Sequence, residues 1–320
     1  MTDTEVGRRT GSVELLAGLL VLFLLVRGPL DDVLGTPMVQ TWTTIFVSIV
    51  LQAVPFLVFG VTLSAAIAVF VPRHFFAKAL PKHPALAVPA AAATGMVLPG
   101  CECGSVPVAG ALVRKGVTPA AALAFLLAAP ALNPVVLAAT AIAFPDQPSM
   151  VLARAAAGLA ASVVMGWLWL GLGRAEWIKL PDHIHGDTRW RAFAGAAGHD
   201  LMHAGGFLVV GAMAAATLDV LIPDRWLQAV ADNPVLGVLA LSLLAVLLSI
   251  CSEADAFVAA SLTQFSLTAR LTFLVVGPMV DLKLFAMQAG TFGRRFAARF
   301  APATFVVALT CAAVTGTVLW

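Results

Sequence analysis

The sequence predicts an all-α polytopic membrane protein built from two inverted repeats. Each repeat has three full spans and a re-entrant or broken helical hairpin, and one extra helix precedes them. Three observations lead there: scarce charge, apolar windows of helical length, and ordered internal matches. Of 320 residues, 60% are apolar and only 11% charged (19 basic, 17 acidic), with a mean hydropathy of +0.96. A soluble domain carries about 25% charged residues, so a water-facing surface around one core is excluded. Disorder, a secreted disulfide scaffold and a cytosolic enzyme go with it. A net charge of +2 spread among apolar runs excludes nucleic acid as a partner.

Apolar windows fall at 13–27, 42–71, 85–113, 119–144, 150–173, 199–222, 234–263, 267–290 and 301–319. Lipid admits only helices or closed barrels as spanning elements, and these runs lack the two-residue alternation of barrel strands. The first window has no small-residue cleavage site before Arg27 and reads as a retained helix. The windows 85–113 and 234–263 differ from the rest. One is broken by Pro99-Gly100-Cys101-Glu102-Cys103-Gly104, the other by Cys251-Ser252-Glu253-Ala254-Asp255. Each is long enough for two half-helices around a polar turn.

The repeat is visible in matched residues. Phe56-Leu57-Val58-Phe59-Gly60 returns as Phe207-Leu208-Val209-Val210-Gly211, and Pro72 matches Pro223. Further along, Cys103 pairs with Cys251, Pro130 with Pro278, and Asn133 with Asp281. The resulting division is 1–41 as an N-terminal transmembrane helix and linker and 42–173 as the first permease half. A cytoplasmic linker follows over 174–198, and 199–320 forms the second half. Basic residues swap sides between halves: Arg73, Lys78 and Lys82 follow the first opening helix, whereas Arg294, Arg295 and Arg299 sit in the second half's later connection. By the positive-inside rule the halves insert oppositely, which requires an odd number of spans in each. Counting both broken windows as hairpins leaves three. The expected topology has a cytoplasmic N-terminus, seven full crossings and an outside C-terminus. Counting the windows as ordinary spans instead gives nine crossings and parallel repeats.

Inverted repeats with broken helices are the signature of a secondary transporter, since unwound backbone at the midplane offers its polar groups to a substrate. If the hairpins enter from opposite faces, their tips bring Cys101, Cys103 and Cys251 together with Glu102, Glu253 and Asp255. Three thiols suit reversible capture of a soft metal or metalloid, making Cys101, Cys103 and Cys251 the candidate metal and substrate ligands. The bland alternative is that buried cysteines are small hydrophobes filling gaps, which is the reading for Cys311. Glu102, Glu253 and Asp255 are the proton-coupling candidates, because intramembrane carboxylates are costly and line proton paths. Their alternative is capping of the half-helices. Asn133 and Asp281, at matched proline breaks, are candidates to line the substrate path. Gln52 and His203 share the 151 offset and are candidates for the same cavity. His199 and His203 share a helix face but supply only two ligands. No H-E-x-x-H, Walker or G-x-S-x-G motif occurs, so no enzyme and no cofactor is expected.

The blocks Pro99-Gly100-Cys101-Glu102-Cys103-Gly104-Ser105-Val106-Pro107 and Ala129-Pro130-Ala131-Leu132-Asn133-Pro134 resemble the predicted permease family of ArsP and YraQ type. The resemblance covers about 40–319. It implies an inner-membrane exporter of trivalent organoarsenicals in which Cys101, Cys103 and Cys251 hold the arsenic. The acidic pair Glu253 and Asp255 does not fit the arsenical-exporting members and leaves room for a metal ion or another solute. The function expected is therefore secondary transport of a thiophilic species in the cell membrane. The alternatives are a permease for an unrelated small solute with structural cysteines, or a membrane thiol redox protein. Lipid is the expected surrounding partner, and homo-oligomers are left open.

Overall fold

A computed structural model of the chain describes residues 36–72, 80–81, 83–96, 102–178, 189–221 and 233–320. The described residues contain twelve α-helices, one 3₁₀ turn and no strand. Two compact units divide at Ile45, and the second, 46–320, carries every residue of the candidate site. The N-terminal window 13–27, the breaks before Glu102, and the charged residues Arg73, Lys78, Lys82, Asp224, Arg225 and Asp232 lie outside the described residues.

In chain order the helices are α1 (Pro37–Phe70), α2 (Pro84–Gly95), α3 (Glu102–Arg114), α4 (Pro119–Leu132), α5 (Pro134–Ala143) and α6 (Ser149–Leu172). Then come α7 (Arg189–Leu221), α8 (Pro234–Leu248), α9 (Asp255–Ser261), α10 (Leu267–Val276), α11 (Leu282–Thr291) and α12 (Arg294–Leu319). The second six repeat the first in kind: a long helix, two short ones, a pair split by a polar cap, and a long helix. The helix α7 begins at Arg189, ten residues before the apolar window that marks it, because its first turns are charged yet still helical.

Five stretches are long and apolar enough to cross a membrane: Pro37–Phe70, Pro119–Ala143, Ser149–Leu172, Arg189–Thr217 and Arg294–Leu319. In Pro119–Ala143, 83% of the most apolar stretch is buried, against 22–33% in the other four. Small side chains explain the central place of α4: Ala120, Ala121, Ala122, Ala124, Ala128 and Ala129 let α2 and α6 press close. The outer helices keep large apolar residues exposed, among them Leu51, Phe59, Leu168, Met202, Val210, Val306 and Val318. Exposed apolar area on that scale marks a lipid-facing surface.

Local chemistry sets the helix starts. Proline occupies the first helical position of α2, α4, α5 and α8, where its missing N–H costs nothing. Ser266 caps α10, Asn233 caps α8, Asn133 caps α5 and Asp281 caps α11, each side chain accepting a backbone N–H.

The short helices double back along their neighbours. Val88, early in α2, lies with Ala120 and Ala124 around Gly166, whereas Gly95 at its end packs against Phe125, Ala128 and Ala129. So α2 runs alongside α4 in the same direction, and α3 returns to the start of α4. The second half does likewise. Val238 accepts from Thr272 at 3.4 Å, Ala245 and Asp255 lie beside Gly277, and α9 returns toward the start of α10. At about 1.5 Å per residue, α2 and α3 are each some 20 Å long and α9 about 10 Å, all short of a hydrocarbon core of about 30 Å.

Candidate functional site

Each half inserts its returning helix into the other: α3 packs against α11, and α9 against α5. The floor of the first contact is backbone. A Cβ on Gly60 of α1 would run into the backbone of Gly104 on α3, so only glycine at 60 allows that approach. Its counterpart Gly211 on α7 is pressed against the backbone of Lys283 on α11. The recurring glycine of the two matched blocks is thus a close-packing residue in both halves.

Where the elements meet, two cations are fully buried, and each makes an ion pair to the other half. Lys283 Nζ lies 2.6 Å from Glu102 Oε1 and 3.6 Å from Asp281 Oδ2. It donates to the Ser249 carbonyl at 2.8 Å and reaches Cys251 Sγ at 3.9 Å, with Cys103 also within its electrostatic reach. Arg154, on α6, donates from Nη1 to Thr140 Oγ1 at 2.8 Å. Its Nη2 donates to Asp255 Oδ2 at 2.9 Å and to the Ser252 carbonyl at 3.2 Å. Burying an ion is costly unless its charge and donors are matched, and here four carboxyl groups (Glu102, Glu253, Asp255, Asp281) face two cations.

Ser249 ends α8 and begins the turn that leads to α9. It is the one non-glycine residue among those described with positive φ, at 48°. That conformation disfavours L-residues and tends to persist where surroundings enforce it. Its carbonyl faces Lys283, while its hydroxyl accepts from Leu282 N at 3.1 Å and so satisfies a donor at the start of α11.

The expected site residues fall as follows. Cys103, Cys251, Glu102, Asp255, Asn133 and Asp281 are all buried, and Glu253 is half-buried within reach of Glu102, Lys283 and Arg154. Cys101 lies outside the described residues. Among the described residues no group of three or more His, Cys, Asp or Glu is arranged to hold a metal ion. Asn133 and Asp281 turn inward to their own helices: Asn133 Oδ1 accepts from Val136 N at 2.9 Å, and Asp281 Oδ1 from Leu284 N at 2.5 Å. Gln52 is exposed, whereas His203 joins His199, Asp200 and Arg114 in a separate small cleft, where Asp200 accepts from Ser64 at 3.2 Å. Cys311 is half-buried on α12.

Neither cation follows from matching the repeats. At the 148 offset Arg154 corresponds to Pro302 and Lys283 to Val135, so the architecture recurs while the charges do not. The signal that finds them is simpler: each is an isolated cation within a strongly apolar helix, and an intramembrane charge is a functional-site hypothesis by default.

A fold of lipid-facing helices around buried, half-joining ion pairs at helix breaks defines a multi-pass membrane protein of the transporter class. The ArsP_1 family model, described as a predicted permease, matches residues 39–317, and the chain belongs to that family. It is 37% identical over 278 residues to the UPF0718 protein YcgR of Bacillus subtilis, covering 84% of this chain and 94% of that one. It is 33% identical over 283 residues to a putative two-component membrane permease complex subunit of Streptococcus mutans, covering 85% and 94%. No solved structure matches. The chain is a membrane permease, not an enzyme.

Proposed function

We propose that the chain is a secondary permease of the cell membrane that exports a thiophilic metal or metalloid, trivalent arsenicals included, through a midplane site lined by Cys101, Cys103 and Cys251. The carrying observation is that Cys103 and Cys251, one from each half, are both buried, with Cys251 Sγ 3.9 Å from the Lys283 ammonium and Cys103 within that ammonium's electrostatic reach. The two sets of six helices, taken as halves 42–173 and 199–320 joined by a cytoplasmic linker, form inverted repeats. Segments 85–113 and 234–263 are re-entrant hairpins that enter from opposite faces. The reversal of α2 into α3 and of α8 into α9, with helices too short to span, supports this reading. The N-terminus is then cytoplasmic. Arg270, a cation on the outer side in this topology, is held by the Phe265 carbonyl at 3.1 Å as a loop clamp.

Rocking of one half against the other opens the site to each side in turn, and proton exchange at Glu102, Glu253 and Asp255 supplies the drive. Asn133 and Asp281 shape the path by holding the breaks between α4 and α5 and between α10 and α11. Replacing Cys101, Cys103 and Cys251 singly with Ala should abolish binding and resistance. Full retention in all three would reduce the cysteines to packing residues and leave a permease for an unrelated solute. The Streptococcus relative is named as a subunit of a two-component complex; co-purification tests whether this chain also has a second subunit, or forms homo-oligomers.

A further inference from the structure

Lys283 is surrounded as a bound cation would be. Its nitrogen has a carboxylate at 2.6 Å, a carbonyl at 2.8 Å, a second carboxylate at 3.6 Å and a sulfur at 3.9 Å. These groups come from α3, the second hairpin tip and the cap of α11, so the shell is assembled by both halves. The shell still holds unused acceptor capacity at Glu102 Oε2, which is buried without a hydrogen-bond partner, as are Ser252 Oγ and Asp255 Oδ1 in the segment that follows Cys251. A left-handed serine turns its carbonyl into the same point.

From this we propose that the groups around Lys283 (Glu102, Asp281, the Ser249 carbonyl, Cys251 and Cys103) are a cation site, and that the Lys283 ammonium is its tethered occupant in the unloaded permease. The inference rests on the thiol-site reading and narrows it: the cargo is a cation of intermediate softness, bound by mixed oxygen and sulfur. Mixed carboxylate and thiolate ligands suit divalent zinc-like ions. It also accounts for the lack of a metal-ready cluster among the described residues. Oxygen ligands stand about 2.0–2.2 Å from zinc and sulfur about 2.3 Å, and an ammonium holds them further apart. A lysine suits the part because its charge is a compact point on a flexible stem. While it is in place, the two carboxylates do not face one another unpaired during the return of the empty permease. Cargo enters as the ammonium leaves the nest, and the ammonium re-enters as cargo departs.

The experiment is equilibrium binding of Cd²⁺ to the purified full chain in nanodiscs. A site filled by its own lysine about nine-tenths of the time has its apparent affinity lowered about tenfold. Lys283→Met should therefore bind Cd²⁺ about tenfold more tightly than wild type, and Lys283→Arg no more tightly. Should Lys283→Met fail to fold, Lys283→Ala purified with methylammonium replaces it, and methylammonium should then compete with Cd²⁺ in the variant but not in wild type. Equal Cd²⁺ affinity in wild type and the folded variant, with binding lost on Cys251→Ala, overturns the tethered occupant and leaves the thiol site standing. No Cd²⁺ binding by either protein overturns both.

Discussion

Arg154 and Lys283 are both buried cations that join the halves, yet they are held differently. Arg154 is clamped by three directed contacts, to Thr140, the Ser252 carbonyl and Asp255. Lys283 sits as a point charge amid acceptors at 2.6 to 3.9 Å, two of them sulfur or oxygen beyond ideal hydrogen-bond range. The planar fork of Arg fixes geometry, and the single ammonium of Lys can be exchanged. One contact is therefore a lock and the other a nest, and the same fold supplies both by placing a different cation at each crossing of the halves.

The comparison breaks most readily at the lock. Arg154→Met leaves Asp255 buried and unpaired, with an expected loss of about 3–5 kcal/mol, read as collapse of the thermal transition of the purified protein. Adding Asp255→Asn should restore part of it. Arg154→Lys should not, because one nitrogen on a shorter stem cannot occupy the separate positions from which Nη1 reaches Thr140 and Nη2 reaches Asp255; recovery to wild-type stability in Arg154→Lys would show that the clamp is no more directional than the nest. Next comes the packing beneath the nest: Gly60→Ala forces the α1 and α3 backbones apart, for about 1–3 kcal/mol. Thermal unfolding checks it, with Gly205→Ala, which meets only the tip of Leu57, as the near-neutral control. Cap loss follows. Asn133→Ala and Asp281→Ala each remove an N-cap worth about 0.5–2 kcal/mol, but Asp281→Ala should also weaken Cd²⁺ binding while Asn133→Ala should not. Smallest of all, Cys311→Ala should leave stability within about 0.5 kcal/mol and transport unchanged.

Much of the architecture was legible in the sequence because lipid imposes strong rules. Apolar length marked the long helices, and the proline and cysteine breaks marked where α3 and α9 begin. The Asn133 and Asp281 correspondence named two residues that the structure shows as matching N-caps, although their side chains are engaged in capping. The site was half legible. Cys103, Cys251, Glu102 and Asp255 stood out by lying in polar turns. Arg154 and Lys283 did not, since each is a single charge in a regular helix and has no counterpart in the other repeat. Repeat matching rewards what recurs, whereas the asymmetry of charge is what distinguishes the lock from the nest. The start of α7 was misplaced for a related reason: the turns from Arg189 are polar, and hydropathy does not register polar helix.

The most direct test of the account is metal flux through the purified chain in proteoliposomes, with Cd²⁺ as cargo and a fluorescent indicator inside. Flux should be saturable, lost in Cys103→Ala and in Cys251→Ala, and unchanged in Cys311→Ala. Wild-type flux in a Cys103→Ala, Cys251→Ala double variant would contradict it.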